Sequence, residues 1–140
     1  MPTVFWETPV KKIGILNQPL SHAIAGLGHT DSLVVADAGL PISNGPERID
    51  LAVTEGVPAF LEVLEAVLDE MAVQEAIIAS EMEGTSPAMY RALMDVLGDI
   101  PVTAVPHEAF KARTAQAKAV VRTGEFTPYA NVILVAGVVF

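Results

Sequence analysis

The apolar residues of this chain come in short, β-branched bursts separated by longer stretches with helical spacing, and that alternation restricts the fold more than any other feature. Leu33-Val34-Val35-Ala36, Ala76-Ile77-Ile78-Ala79 and the closing run from Val132 to Phe140 are each too short for a buried helix and too apolar for a strand with one wet face. Such runs suit strands covered on both sides. Between them, Leu20, Ala23, Ile24 and Leu27 fall at i, i+3, i+4 and i+7, the stripe of an amphipathic helix. Asn17 is its expected N-cap, Pro19 lies in its first turn and Gly28 is its expected stop. Further strands are expected over 32–36, 48–54, 74–80, 101–106 and 132–140. Further helices are expected from Pro58 to about Met71, from Ser86-Pro87 to Gly98, and from Glu108 to Thr123, closed by Gly124. Helices alternating with buried strands indicate an α/β three-layer sandwich: a central sheet, mostly parallel or mixed, with helices on both faces.

A chain of 140 residues that is 51% hydrophobic suits a single domain, read here as 11–140 behind an N-terminal extension of residues 1–10, where Phe5 and Trp6 are candidate anchors. Seventeen acidic against eight basic side chains give a formal charge of −9. That sign disfavours nucleic acid and an anionic membrane surface as partners. Four of the cations lie between Lys111 and Arg122, on the last expected helix. There is no cysteine, hence no disulfide framework and no thiol nucleophile. Met1 to Val10 lacks the basic start and apolar stretch of a signal peptide. The longest apolar run is far shorter than the ~20 residues of a membrane helix. A cytoplasmic location is the expectation.

The residues able to do chemistry sit at the ends of these bursts. His29 and Asp31 precede the first, Asp37 ends it, His107 follows the fourth expected strand, and Tyr129-Ala130-Asn131 opens the last. An imidazole titrates near neutral pH and exchanges protons readily. The plainer reading of His29 is a helix-terminal histidine bonded to a carbonyl. Asp37 ends a run too apolar to leave a carboxylate unpartnered; it is either a hydroxyl ligand or the head of an Asx-turn into Ala38-Gly39. His107 is either a site residue or the cap of the helix after it. Tyr129 offers a stacking ring and Asn131 a donor–acceptor pair; the alternative is a turn after Pro128. His22 lies opposite the apolar stripe and is expected to be exposed and idle. No metal-ligand spacing, nucleotide-binding glycine pattern or nucleophile elbow is present. If the last strand runs antiparallel to its neighbours, all three polar groups can meet at one edge; if parallel, its cluster serves a neighbouring subunit.

Several separated strings, in order, carry a resemblance. They are Leu27-Gly28-His29-Thr30-Asp31, Val34 to Ile42 with Asp37-Ala38-Gly39-Leu40-Pro41 at its centre, Arg48-Ile49-Asp50-Leu51-Ala52, Arg122-Thr123-Gly124-Glu125, and Pro128 to Leu134. Over about 11–140 the chain resembles the family shared by D-ribose pyranases and L-fucose mutarotases. Gly39 and Ala130 match the ribose branch, where the fucose branch typically carries histidine and glycine. The resemblance implies an isomerase that interconverts the β-pyranose and β-furanose forms of D-ribose by acid–base ring opening and reclosure, without a cofactor or metal. It implies His29 as the catalytic proton donor, and Asp37, His107, Tyr129, Ala130 and Asn131 as sugar-binding residues. It further implies a homodecamer of two pentameric rings with sites at subunit boundaries. The competing expectations are a mutarotase for L-fucose or a related sugar, and a non-catalytic sugar-binding accessory of ribose transport.

Overall fold

The computed structural model describes residues 10–140; the expected anchoring role of Phe5 and Trp6 lies outside the described residues. Six strands, β1 (Ser32–Ala36), β2 (Glu47–Asp50), β3 (Val73–Ala79), β4 (Val102–Val105), β5 (Ala119–Arg122) and β6 (Val132–Ala136), form one sheet in the order β2-β5-β1-β6-β3-β4. β6 runs antiparallel to both of its neighbours, and every other pairing is parallel. The mixed α/β sheet with helices on both faces is therefore the architecture expected.

β1 is central because its four apolar residues need cover on two sides. Leu33 and Val35 face α1 (Gln18–Ala25), α2 (Phe60–Leu68) and α4 (Pro87–Leu97), in a core that includes Phe60, Leu64, Val67 and Leu93. Val34 and Ala36 face the other way, onto Phe110 of α5 (His107–Thr114) and Leu40 of the loop after β1. All four are completely buried. Burying a side chain of the size of Phe110 contributes about 1.5–3 kcal/mol, so one aromatic anchors the thinner layer.

Expected caps and stops are met at some helix ends, such as Asn17 of α1 and Gly98 of α4, and missed at others. The Asn17 Oδ1 accepts the Leu20 N–H at 3.0 Å and Pro19 sits in the first turn of α1, but the helix stops at Gly26 rather than Gly28. Gly28 instead donates its N–H to Asp31 Oδ2 at 2.8 Å. α2 is shorter than 58–71 at both ends. A one-turn helix, α3 (Glu81–Thr85), intervenes before α4. Ser86 stands at the N-cap position of α4 but makes no side-chain cap; its hydroxyl donates to the Pro128 carbonyl at 2.8 Å.

The expected helix over 108–123 is wrong in its second half. α5 ends at Thr114, a turn follows, and Ala119–Arg122 is β5, paired in parallel with β1 on one side and β2 on the other. Ala115-Gln116-Ala117-Lys118 reads as helix by propensity, yet Ala119, Val120 and Val121 fill a slot between two strands and are buried on both faces. Pairing and burial outweigh a propensity difference of well under 1 kcal/mol per residue. Lys111, Arg113, Lys118 and Arg122 therefore do not share a helix. The strand expected over 48–54 likewise ends at Asp50; residues beyond it turn back through a Thr54–Val57 bridge against Gly124.

Candidate active site

Because β6 opposes β1, the amino end of β6 lies beside the carboxyl end of β1. Val35 is opposite Val132, so Asn131 and Asp37 become neighbours. The Asp37 N–H donates to Asn131 Oδ1 at 2.7 Å, and Asn131 Nδ2 donates back to Asp37 Oδ2 at 3.1 Å. The other carboxylate oxygen, Oδ1, accepts the Gly39 N–H at 3.0 Å. Asp37 is thus both the head of an Asx-turn and a cavity residue. Desolvation by burial raises its pKa above the usual 3.8, against the lowering pull of the Gly39 N–H, the Asn131 amide, the Leu40 N–H and the nearby His107.

These groups border an open cavity of about 690 Å³ at the carboxyl edge of the sheet, lined among others by Asp37, His107, Arg122, Glu125, Phe126 and Tyr129. The His107 ring meets Tyr129 edge-on with centroids 5.0 Å apart and stacks on Phe110 at 6.2 Å. Its Nδ1 is buried and has no hydrogen-bond partner among the described residues. Tyr129 has φ +63°, a left-handed conformation costly for a side chain of this size. It is held there by neighbours on both sides: the Ala130 N–H bonds the Thr127 carbonyl and the Asn131 N–H bonds that of Tyr129. The expectation that the groups meet at one edge holds for Asp37, His107 and Tyr129–Asn131.

His29 is elsewhere. It precedes β1, at the amino edge, where the Thr30 N–H bonds the Ala136 carbonyl at the far end of β6. Six strand steps separate Asp31 from Asp37, about 20 Å. His29 is exposed, and its Nε2 lies 2.9 Å from Gln74 Oε1, a pairing in which the imidazole donates. Asp31, the nearest carboxylate in sequence, accepts the Gly28 N–H. Within one chain His29 has no access to the cavity. Ala130 and Asn131 are also not cavity walls: both are buried beneath it, and Asn131 spends its amide on Asp37. His22 is exposed, as expected.

Some site residues escaped the sequence reading. Arg122 lines the cavity, donates from Nε to the Ala38 carbonyl at 3.0 Å and pairs with Asp50 at 3.1 Å. Glu125 accepts the Phe60 N–H and the Thr127 hydroxyl, and its own carbonyl accepts the Ala38 N–H. The signal for both is their place at the end of β5 and in the loop that follows it, which the helical reading of 108–123 hides. Among the described residues, no group of three or more His, Cys, Asp or Glu side chains is arranged to hold a metal ion. No helix among them is long and apolar enough to cross a membrane.

The model of the RbsD / FucU transport protein family matches residues 10–139, and the chain belongs to that family. Within it, the chain is 53% identical over 131 residues to the D-ribose pyranase of Geobacillus kaustophilus (strain HTA426), covering 94% of this chain and 96% of the relative. The structure of Bacillus subtilis RbsD complexed with D-ribose superposes with a TM-score of 0.89 at 47% identity, over 93% of this chain and 99% of that one. The fucose mutarotase of Streptococcus pneumoniae, solved in complex with L-fucose, is more distant, with a TM-score of 0.67 at 29% identity over 89% of this chain and 95% of that one.

Proposed function

We propose that this chain is a cytoplasmic isomerase that interconverts the β-pyranose and β-furanose forms of D-ribose, in a site completed by a second copy of the chain. The observation that carries the reading is the Asp37 carboxylate, clamped by Asn131 and Gly39 at the cavity wall opposite the His107–Tyr129 pair. A fixed acceptor, an imidazole and an aromatic face are what a neutral polyol needs, and no cationic pocket is required. The identity to D-ribose pyranases supports ribose over fucose.

The reaction opens one hemiacetal and closes another. A proton leaves the anomeric hydroxyl, the C1–O5 bond breaks and O5 takes up a proton, giving the free aldehyde. O4 then attacks C1, O4 loses its proton and the carbonyl oxygen regains one. Atoms and charges balance without an outside reactant. His29 of the neighbouring copy protonates the ring oxygen, His107 exchanges the anomeric proton through Nε2, and Asp37 orients hydroxyls. Asn131 and the buried Ala130 hold Asp37 and Tyr129 in place. Proton transfer of this kind is typically worth ~10²–10⁴ in rate.

The placement of His29 supports a shared site, and the exposed Phe126 on the cavity rim supports a second copy covering it. An assembly of two five-membered rings satisfies both. Saturation-transfer NMR on D-ribose and L-fucose side by side tests the function. Accelerated exchange between β-pyranose and β-furanose ribose signals is the expected result. Ribose binding with no acceleration overturns it in favour of a sugar-binding accessory, and acceleration confined to α/β pyranose exchange overturns it in favour of a mutarotase.

A further inference from the structure

The helix that carries His107 lacks a cap of its own. α5 has Pro106 at its N-cap position, which offers no side-chain acceptor to the first-turn N–H groups. Helices of this length depend on such acceptors, because their first N–H groups have no partner within the helix. α1, equally short, has Asn17 for the purpose. In α5 the role falls to a residue 26 positions earlier: both carboxylate oxygens of Glu81 accept the His107 N–H, at 3.0 and 3.1 Å.

Glu81 is itself fixed. It opens α3, directly after β3, and its Oε1 accepts the Ser80 hydroxyl at 3.2 Å. The Ser80 N–H in turn bonds the Val105 carbonyl at 2.7 Å, so the ends of β3 and β4 are tied together beneath the carboxylate. The His107 N–H is the largest cause of the lowered pKa of Glu81, which keeps the acceptor ionised. The ring beyond that N–H has no polar tether: Nδ1 is unpartnered, and Phe110 and Tyr129 confine it by packing alone. Among the described residues, the backbone is the only part of His107 held by hydrogen bonds at the cavity end.

We propose that Glu81 is a positioning residue for His107: by accepting the first N–H of α5 it sets where the imidazole stands against Tyr129 and so where Nε2 meets the sugar. This rests on the role given to His107 above, and the two are separable by experiment. Glu81→Ala removes the acceptor; Glu81→Gln keeps one carbonyl oxygen in its place. In the full-length protein, Glu81→Ala is expected to lower kcat about ten-fold with KM for ribose within about two-fold, and to weaken the ring-to-ring NOE between His107 and Tyr129. Glu81→Gln is expected to stay within about three-fold of the parent and to keep the NOE.

Three results overturn the proposal: an unchanged kcat in Glu81→Ala, a Glu81→Gln variant as impaired as Glu81→Ala, or a fall in kcat with the NOE intact. Should Glu81→Ala fail to fold, Ser80→Ala loosens the same carboxylate and is expected to cost about two- to three-fold in kcat at unchanged Tm; no effect on kcat there counts against the proposal. A parent protein that binds ribose without accelerating its exchange sinks the isomerase reading, while the NOE comparison still decides the placement by Glu81.

Discussion

The two ends of β1 are built in opposite ways. At the carboxyl end, Asp37 is clamped by backbone and amide, β5 and the loop after it contribute Arg122 and Glu125, and an aromatic pair closes the wall. At the amino end, His29 stands in solvent with one side-chain bond, to Gln74. In the function proposed above, the built end supplies the sugar's ligands and the open end the acid. A polar group that must protonate a ligand needs that ligand within hydrogen-bond reach, and about 20 Å of strand forbids it inside one chain. On the function proposed above, one copy carries two half-sites, a socket and a plug; what the structure itself teaches is that proximity in sequence between His29 and Asp37 is misleading about proximity in space.

Removing the plug has the largest expected effect. His29→Ala is expected to cost ~10²–10⁴ in the ribose exchange rate, the usual worth of a positioned proton carrier, at unchanged Tm because the side chain is exposed. A mixing experiment then separates a shared site from a self-contained one. His29→Ala chains keep a good socket and Asp37→Ala chains keep a good plug, so co-refolding the two inactive variants restores about a quarter of the sites if copies assort randomly in a symmetric assembly. No recovery on mixing, read by saturation transfer, breaks the comparison outright.

The next effect concerns how tightly each end is packed. Gly124 follows β5 at the socket, and a Cβ there would stand 2.5 Å from the Thr54 carbonyl oxygen and 2.7 Å from the Val57 backbone. Backbone cannot step aside as a side chain can, so Gly124→Ala is expected to destabilise by about 2–3 kcal/mol in chemical denaturation. Gly28, beside the plug, would bring its Cβ only to 3.4 Å from the movable Asp31 carboxylate. Gly28→Ala is expected to stay within about 0.5 kcal/mol. Equal losses at the two glycines are incompatible with a rigid socket and a loose plug.

Asn131→Ala comes third. It strips Asp37 of one accepted and one donated hydrogen bond without opening a cavity wall, since Asn131 lies underneath. Loss of a bond to a partly buried carboxylate is worth about 1–2 kcal/mol, so ribose affinity by titration is expected to fall about ten-fold while the His29 end is untouched. An unchanged affinity means that Gly39 alone fixes the carboxylate.

Much of the socket was legible in the residues. The bursts at 33–36 and 76–79 are buried strands, Asn17 caps α1, and the antiparallel option for the last strand placed Tyr129–Asn131 beside Asp37. What was hidden shares one cause: it depends on partners distant in sequence. Ala119-Val120-Val121 becomes a strand because β1 and β2 leave a slot for it. Arg122 finds Asp50, 72 positions away, and α5 finds its cap in Glu81. The place of His29 before β1 already puts it at the amino edge of the sheet, and what it faces in a neighbouring copy is not encoded in any local pattern.

The smallest effect tests the electrostatics of the socket alone, where two carboxylates lean opposite ways. Burial raises the Asp37 pKa above that of the unfolded chain. The folded state therefore binds more protons between the two values, and this group's contribution to stability falls as pH rises from about 4 through the raised value, then levels off. Glu81 is lowered, chiefly by the His107 N–H. Its contribution is present above its usual 4.5 and is lost as pH falls below it. Subtracting the stability of Asp37→Asn from that of the parent isolates the first slope, and subtracting that of Glu81→Gln isolates the second. The two difference curves, measured by denaturation from pH 3 to 7 at constant ionic strength, are expected to run with opposite sign. A parent that gains stability over Asp37→Asn as pH rises means that the Gly39 and Asn131 bonds outweigh desolvation, and that Asp37 is held as a carboxylate by its hydrogen bonds.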